Sequence, residues 1–254
     1  AIFCCDDQNP IPIHPSKHSV GLDLGITRFA TLSDGTILKN PRCLIRSEAL
    51  LKRAQQNLMR KKKGSRNRAK ARLRLSRMHL RIRNQRADFL HQCSHRLTLQ
   101  YQHIMVEDLV IKNMVKNHRL SKHIHDASWN TFVRMLSYKA VTRGGQCILV
   151  NPRGTTRRCS TCGHEQEIGL EQRVYDCARC GLSLDRDQNA AINILHGRDG
   201  PSRTVTLVEH APLQHREVLQ GLSMKQEHTL IVSTVEAPAF RGCVTIQFFP
   251  DFEL

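Results

Sequence analysis

Two pairs of closely spaced cysteines constrain the fold of this chain more than any other feature. Each pair has a gap of two residues, Cys159 with Cys162 and Cys177 with Cys180, and fourteen residues separate the pairs. Such a gap lets two neighbouring thiolates bind one tetrahedral zinc ion, and two such knuckles supply the four soft donors of a structural site. Two disulfides or a redox pair are the alternatives. The spacing favours a zinc ribbon over residues 156–182 that holds structural Zn²⁺.

Positive charge is concentrated in one stretch of the 254-residue chain, whose formal net charge is +17. No acidic residue occurs between Ala49 and Ala87, whereas fifteen basic residues do. Like charges one helical turn apart repel each other, so a stretch of a single sign favours a polyanionic partner over a merely solvated surface. Nucleic acid is the expected partner. The side chains predicted to contact phosphates are Arg60, Lys61, Lys62, Lys63, Arg66, Arg68, Lys70, Arg72, Arg74 and Arg77.

The other cysteines and the length of the apolar runs indicate the cellular compartment of the protein. No apolar run is long enough to cross a bilayer, so we expect no membrane partner. A cytoplasmic, reducing setting is therefore expected, with the protein associated with the nucleoid when it is bound to DNA. In that setting the cysteines outside the predicted ribbon are expected to be thiols: Cys4, Cys5, Cys43, Cys93, Cys147 and Cys243.

The order of predicted elements indicates an α/β fold. Apolar runs and turn signals predict strands at residues 19–25, 29–32, 36–38, 103–107 and 146–150. Helical periodicity predicts helices at 47–59 and 66–99, a helix that starts near Asp126 or Ser128, and a closing helix at 188–195. We divide the chain into the end of an upstream domain or linker (1–18), the first part of the core with a basic helical hairpin inserted at 47–100 (19–155), the ribbon (156–182), the last core helix (183–198) and a variable tail (199–254).

Three acidic residues fall on the first strand, the fourth strand and the last helix, which is the layout of an RNase H-like mixed sheet. Taken singly, each of Asp23, Glu107 and Asp187 is more often a cap or a turn former than a ligand. Together they would repel, by about 4 kcal/mol for two carboxylates about 4 Å apart at an effective dielectric of 20, and Mg²⁺ relieves that repulsion. Two such ions support hydrolysis of a phosphodiester by in-line attack of water. Asp185 competes with Asp187 for the third position, and we favour Asp187 because it can cap the last helix while reaching inward.

Several motifs, in the same order, resemble those of the TnpB family of transposon-associated proteins, also called OrfB transposases. They are Val20-Gly-Leu-Asp-Leu-Gly-Ile26, Lys61-Lys-Lys-Gly-Ser-Arg-Asn-Arg68, Val106-Glu-Asp-Leu-Val-Ile-Lys-Asn113, Asp126-Ala-Ser-Trp-Asn-Thr-Phe132 and Asp187-Gln-Asn-Ala-Ala-Ile-Asn-Ile194. The resemblance spans residues 19–197. It implies a RuvC-like nuclease that is guided by RNA and cuts DNA, with Asp23, Glu107 and Asp187 as its catalytic Mg²⁺ ligands.

The same resemblance implies roles for the other parts of the chain. The ribbon would be a structural insertion near the path of the nucleic acid, and the basic hairpin would contact the duplex of guide RNA and target DNA. Complete members of the family carry an upstream region that binds RNA. We therefore expect residues 1–18 to be the end of a missing domain.

Two other functions are compatible with the sequence. A non-catalytic nucleic-acid-binding regulator of transposition, or a truncated inactive remnant, would use the charge and the ribbon without the carboxylates. A transposase that joins DNA ends is less favoured, because no activated tyrosine nucleophile stands out. Acidic residues at all three positions favour the endonuclease.

Two smaller groups of residues complete the candidates. The spacing of three histidines favours a solvated loop or a phosphate contact over a metal site; these are His118, His123 and His125. The segment before the first knuckle fits a phosphate contact and simple loop chemistry equally well, and it contains Arg153, Thr155, Thr156, Arg157 and Arg158.

Overall fold

The computed structural model describes residues 12–169 and 171–197 with their side chains, and residues 203–204 by their backbone. All of them belong to one unit of the chain, Pro12–His210. Outside the described residues lie most of the predicted upstream end, most of the predicted tail, and three of the cysteines expected to be thiols, Cys4, Cys5 and Cys243.

The described residues form eight strands and six helices. The strands are β1 (Ser19–Leu24), β2 (Arg28–Leu32), β3 (Ile37–Lys39), β4 (His103–Glu107), β5 (Gln146–Val150), β6 (Val174–Asp176), β7 (Ser183–Asp185) and β8 (Arg203–Thr204). The helices are α1 (Cys43–Met59), α2 (Arg66–Gln100), α3 (Ile111–Met114), α4 (His118–Ala127), α5 (Trp129–Val141) and α6 (Arg186–His196). None of these helices combines the length and the apolar character needed to cross a membrane.

A mixed sheet of six strands forms the centre, in the order β3-β2-β1-β4-β5-β8. β1, β4 and β5 run parallel to one another, whereas β2, β3 and β8 are antiparallel to their neighbours. Parallel strands that are covered on both faces are apolar along their length, and Val20, Leu22, Ile104 and Val106 are accordingly buried. The predicted α/β class with a mixed sheet is confirmed. A separate antiparallel pair joins β6, within the predicted ribbon, to β7, which lies just after it in the segment predicted as the last core helix.

The core joins this sheet to α2 and α5. Phe29 of β2 makes edge-to-face contacts with Phe89 of α2, at 5.0 Å between ring centroids, and with Phe132 of α5, at 4.9 Å. Leu90 and Leu97 of α2 are each only 2% exposed in the same core. The C-terminal half of α2 is therefore part of the core. Three cysteines predicted to be thiols are free and buried: Cys43, Cys93 and Cys147.

The predicted helical hairpin corresponds to α1 and α2, and its basic part consists of α1 and the N-terminal half of α2. Gly64, with φ of +80°, lies in the turn, and Ser65 caps α2 by accepting a hydrogen bond from the amide of Arg68 at 3.2 Å. A small apolar cluster holds the two helices together away from the main core, and it includes Leu51 and Ile82. The two helices are therefore held to each other by this cluster, while the C-terminal half of α2 belongs to the main core.

The first helix begins at Cys43, four residues before the predicted start. Both carboxylate oxygens of Asp126 accept a hydrogen bond from the amide of Leu44 at 3.0 Å, and Arg86 donates to the same carboxylate at 2.9 Å. Asp126 therefore satisfies an orphan amide at the start of α1 from a distant part of the chain.

The segment before α5 is helical, which corrects the expectation of a solvated loop. His118, His123 and His125 lie in α4, and this helix ends at Ala127. Ser128 has a left-handed backbone, with φ of 54°, and separates α4 from α5. The predicted start of a helix near Ser128 corresponds to α5, but Asp126 belongs to the preceding helix.

The last helix lies directly against the central strand β1 at Gly21. A Cβ atom at position 21 would be 2.1 Å from the carbonyl oxygen of Ala191 and 2.6 Å from the amide nitrogen of Leu195. Both are backbone atoms of α6, so neither can move aside as a flexible side chain would. Only glycine allows this approach.

We predict that Gly21→Ala destabilises the chain by about 3 kcal/mol or more, because α6 must move off the sheet. The free energy of unfolding in urea measures the effect. Gly64→Ala is the matched control: its Cβ would meet nothing within 4 Å, so it should cost only about 1 kcal/mol for the left-handed backbone. An equal loss in the two variants would contradict the proposed close packing.

Candidate active site and metal centre

Two of the predicted catalytic carboxylates lie on neighbouring parallel strands. The register pairs Leu22 of β1 with Val106 of β4. Asp23 and Glu107 are the next residues on these strands, so they follow this pair at the same end of the sheet. Glu107 is 8% exposed and Asp23 is partly buried.

The third carboxylate comes from the first turn of α6. Asp187, Ala191 and Leu195 are spaced by four residues and therefore share one side of the helix. Ala191 and Leu195 approach β1 at Gly21, and Asp187 lies one turn before them. The charge of Asp187 raises the pKa of Asp23, as a nearby carboxylate should. Strand register and helix spacing thus bring the three acids to one end of the sheet.

Negative charge accumulates at this end of the sheet. Burial raises the pKa of Asp23 well above its ordinary value, and the charges of Glu107 and Asp187 raise it further. Burial also raises the pKa of Glu107 to about 7, although the hydrogen bond from the Thr155 hydroxyl opposes this shift. Such shifts mark a group of acids that a bound cation would stabilise in the charged form.

Asp185, and not Asp187, caps α6, which corrects one step of the sequence argument. One carboxylate oxygen of Asp185 accepts hydrogen bonds from the amides of Asp187 at 3.0 Å and of Gln188 at 3.3 Å. The helix start is therefore satisfied without the carboxylate of Asp187. The choice of Asp187 as the third ligand stays a prediction, and its position on the helix side that approaches β1 now supports it.

Two guanidinium groups accompany these acids. Nη1 of Arg28 lies 2.8 Å from Asp185 Oδ2 and 3.8 Å from Asp187 Oδ2, and Nη2 of Arg186 lies 3.4 Å from Asp187 Oδ1. Within the described part of the chain, the predicted Mg²⁺ ligands do not form a group whose oxygens all lie within 4.8 Å of one another. The donor set still fits Mg²⁺ chemically, because it offers hard carboxylate oxygens and more negative than positive charge.

A buried hydrogen-bond chain, which the sequence did not reveal, supports Glu107. Thr155 donates to Glu107 Oε1 at 2.8 Å. Asn193 of α6 donates to the carbonyl oxygens of Thr155 at 2.8 Å and of Arg158 at 2.7 Å, and Asn189 donates to the latter at 2.7 Å. Asn189 and Asn193 are spaced by four residues and buried, so this one side of α6 fastens the segment that enters the ribbon. In the sequence, the only indication of this hydrogen-bond chain is the pair of asparagines spaced by four residues on a short apolar helix.

The four ribbon cysteines form a ready metal site. Their sulfur atoms all lie within 4.8 Å of one another, and the pairs Cys159–Cys180 and Cys162–Cys177 are 3.6 Å apart. The backbone amides of Cys180 and Arg179 lower the pKa of Cys177 to about 6, which favours the thiolate. Four sulfur donors in this arrangement can hold a single metal ion.

The predicted phosphate contacts project from the hairpin. Nine of the ten side chains are exposed, the exception being Arg68. Arg68 donates to the carbonyl oxygens of Leu58 at 3.1 Å and of Lys61 at 3.0 Å, so it closes the turn of the hairpin. The other nine remain predicted contacts.

Comparison with known proteins agrees with these features. The OrfB_IS605 family model, described as "Probable transposase", matches residues 2–118, and the "Cas12f1-like, TNB domain" model matches residues 129–194. A protein of Streptomyces pristinaespiralis named "Putative RNA-guided DNA endonuclease" is 40% identical over 199 residues, which are 77% of this chain and 48% of that protein. The chain belongs to the TnpB family.

Further relatives bear on how much of a TnpB protein the chain represents. The "Putative RNA-guided DNA endonuclease InsQ" of Escherichia coli K12 is 35% identical over 238 residues, which are 87% of this chain and 56% of that protein. The chain thus spans about half the length of these relatives. Its fold is similar to that in a structure titled "Cryo-EM structure of the Cas12f1-sgRNA-target DNA complex", with a TM-score of 0.50, 15% identity, and coverage of 75% of this chain and 51% of that one.

We predict that Glu107→Gln stabilises the protein at alkaline pH when no Mg²⁺ is present. The folded pKa of Glu107 is about 7, above its ordinary value of 4.5. The protonated form of Glu107 therefore favours the folded state. Its contribution to the free energy of unfolding is fully present below pH 4.5 and is lost as the pH rises through 7. Because glutamine cannot ionise, the advantage of the variant should grow by about 2 kcal/mol between pH 5 and pH 8.

Urea unfolding of zinc-loaded protein at several pH values measures this difference. Glu48→Gln is the control, since Glu48 lies on the surface and pairs with Lys122. Its free energy of unfolding should gain no such advantage over wild type as the pH rises. A Glu107→Gln difference that stays constant with pH would contradict the raised pKa.

Proposed function

We propose that this chain is the nuclease-bearing part of an RNA-guided DNA endonuclease encoded by a transposon. The observation that carries the proposal is the convergence of Asp23, Glu107 and Asp187 at one end of the sheet, where burial and mutual repulsion raise the pKa of Asp23. The names of the relatives from S. pristinaespiralis and E. coli point to the same activity.

The core is proposed to be RNase H-like, of the RuvC kind. In support, three antiparallel strands open the fold, and two further strands join β1 in parallel in the order β3-β2-β1-β4-β5. The acids lie on β1, at the end of β4 and at the start of α6. Such an arrangement places carboxylates where two adjacent parallel strands end, beside the first turn of a helix.

In the proposed reaction Asp23, Glu107 and Asp187 would hold Mg²⁺, and oxygens of the substrate phosphate would fill its remaining coordination positions. When bound, two such ions supply Lewis-acid stabilisation for in-line attack by water. Thr155 keeps one oxygen of Glu107 in a fixed direction through its 2.8 Å hydrogen bond. Asp185 holds the start of α6 so that Asp187 keeps its orientation.

The proposed partners are a guide RNA and the target DNA. Base pairing would select the sequence, while the exposed basic side chains of the hairpin bind phosphates without choosing bases. A structural Zn²⁺ ion in the ribbon is proposed to fix the loops that follow β5. The proposed site of action is the cytoplasm, on nucleoid DNA.

We predict that Asp23→Asn, Glu107→Gln and Asp187→Asn each lower Mg²⁺-dependent DNA cleavage at least about a thousandfold, because each removes a charged metal ligand. The assay uses a fusion of this chain with the part of the S. pristinaespiralis relative that lies outside the match. The RNA of that relative and a plasmid target are added. Gel-shift binding of the target should stay unchanged, since the hairpin is not altered.

Glu48→Gln, which removes a surface carboxylate of the same kind, should cleave like wild type. Cleavage that persists in Asp23→Asn or Glu107→Gln would overturn the assignment of the site. If the unaltered protein binds RNA and DNA but never cleaves, the alternative of a non-catalytic regulator or inactive remnant replaces the endonuclease.

We predict about one zinc ion per chain in protein purified without chelators. Cys177→Ser should lower the zinc content and the melting temperature, because three thiolates hold the ion less tightly. Cys93→Ser is the control, since Cys93 is a buried free thiol in the main core. Elemental analysis measures the metal, and a content near zero in the wild type would exclude the zinc ribbon.

A further inference from the structure

Arg28, the first residue of β2, contacts two acids at the start of α6. Its guanidinium lies 2.8 Å from Asp185 Oδ2 and 3.8 Å from Asp187 Oδ2. The register of β2 against β3 shifts between Arg28 and Ala30. Irregularities of this kind redirect side chains at the ends of strands. The arginine is therefore held at the site by the fold of β2 as well as by its ion pairs.

The two ion pairs of Arg28 differ in how firmly they are fixed. Asp185 is held by the amides of Asp187 and Gln188, and the hydrogen bond to it raises the pKa of Arg28. Asp187 makes no capping bond, and its contact with Arg28 is 1.0 Å longer than that of Asp185. Asp185 can therefore keep the guanidinium of Arg28 in place while Asp187, which Arg186 also approaches at 3.4 Å, exchanges Arg28 for another cation.

Charge at the site makes such an exchange favourable. Asp23 and Glu107 lie on neighbouring strands, and the charges of Glu107 and Asp187 both act on Asp23. Without a metal ion, the positive charge of Arg28 offsets part of the repulsion at Asp187. With a divalent ion bound, Arg28 becomes a like charge beside that ion and opposes its binding.

We propose that Arg28 is a built-in counter-cation and a positioning residue, which is anchored by Asp185 and competes with the divalent metal ion for Asp187. This inference rests on the proposed role of the three acids as metal ligands. It explains how the site folds without metal. It also implies weak metal binding by the protein alone, with tight binding only when substrate phosphate adds further ligands.

The test measures binding of Mn²⁺, as a spectroscopic substitute for Mg²⁺, to the zinc-loaded 254-residue chain at pH 8 by electron paramagnetic resonance. Arg28→Gln should bind Mn²⁺ about tenfold more tightly than wild type, because it removes a nearby positive charge. Its melting temperature without Mn²⁺ should be lower. Arg28→Lys, which keeps the charge, should bind within about twofold of wild type, and Lys122→Gln, which breaks a surface ion pair, should bind like wild type.

If Arg28 only supported the structure, its loss would weaken Mn²⁺ binding. The direction in which the Mn²⁺ affinity changes therefore distinguishes a structural role from the proposed competition. Unchanged or weaker binding in Arg28→Gln overturns the inference. Circular dichroism checks folding, and Arg28→Met, which keeps the aliphatic stem, replaces Arg28→Gln if the latter does not fold.

Asp23→Asn in the same titration separates the two proposals. If it binds Mn²⁺ like wild type, the proposed catalytic site is wrong; if it loses binding while Arg28→Gln is unchanged, only the inference about Arg28 fails.

Discussion

The contact between α6 and β1 at Gly21 is the interaction on which the rest of the site depends. Because no side chain separates the two backbones, the helix lies close enough for its first turn to bring Asp187 into electrostatic reach of Asp23. The same helix carries Asn189 and Asn193, which hold the segment that enters the ribbon. A displaced α6 would therefore move the third carboxylate and the ribbon together.

The site is assembled against electrostatic repulsion, and the fold compensates for it with neighbouring groups. Burial raises the pKa values of both Asp23 and Glu107, and the charges of neighbouring carboxylates raise that of Asp23 further, so at neutral pH the charged acids work against folding. The charge of Arg186 offsets part of this cost at Asp23, and the hydrogen bond from Thr155 offsets part of it at Glu107. Proteins commonly accept such local destabilisation where function requires it.

The features predictable from the sequence were those with a local or periodic signal. Five strands of the central sheet, the two helices of the hairpin and the knuckles of the ribbon follow from spacing alone.

Long-range contacts set the rest: α1 begins at Cys43 because Asp126 caps it from 82 positions away, and Thr155 reaches Glu107 across 48 positions. Asp185 and Asp187 look alike as caps in the sequence, and only the backbone conformation at Asp185 distinguishes them. β6 and β7, with three residues each, are too short for a periodic signal.

The ribbon is attached to the carboxylate site at both of its chain ends. At its entry, the carbonyl oxygen of Arg158 accepts hydrogen bonds from Asn189 and Asn193, one residue before the first cysteine. At its exit, β7 ends at Asp185, which caps the helix that carries Asp187. The amide of Arg186 also bonds to the carbonyl oxygen of Arg173 at 2.8 Å, which ties the helix start to the ribbon. Because both attachments are made to α6, a metal ion bound by the four cysteines would also restrain the helix turn that carries Asp187.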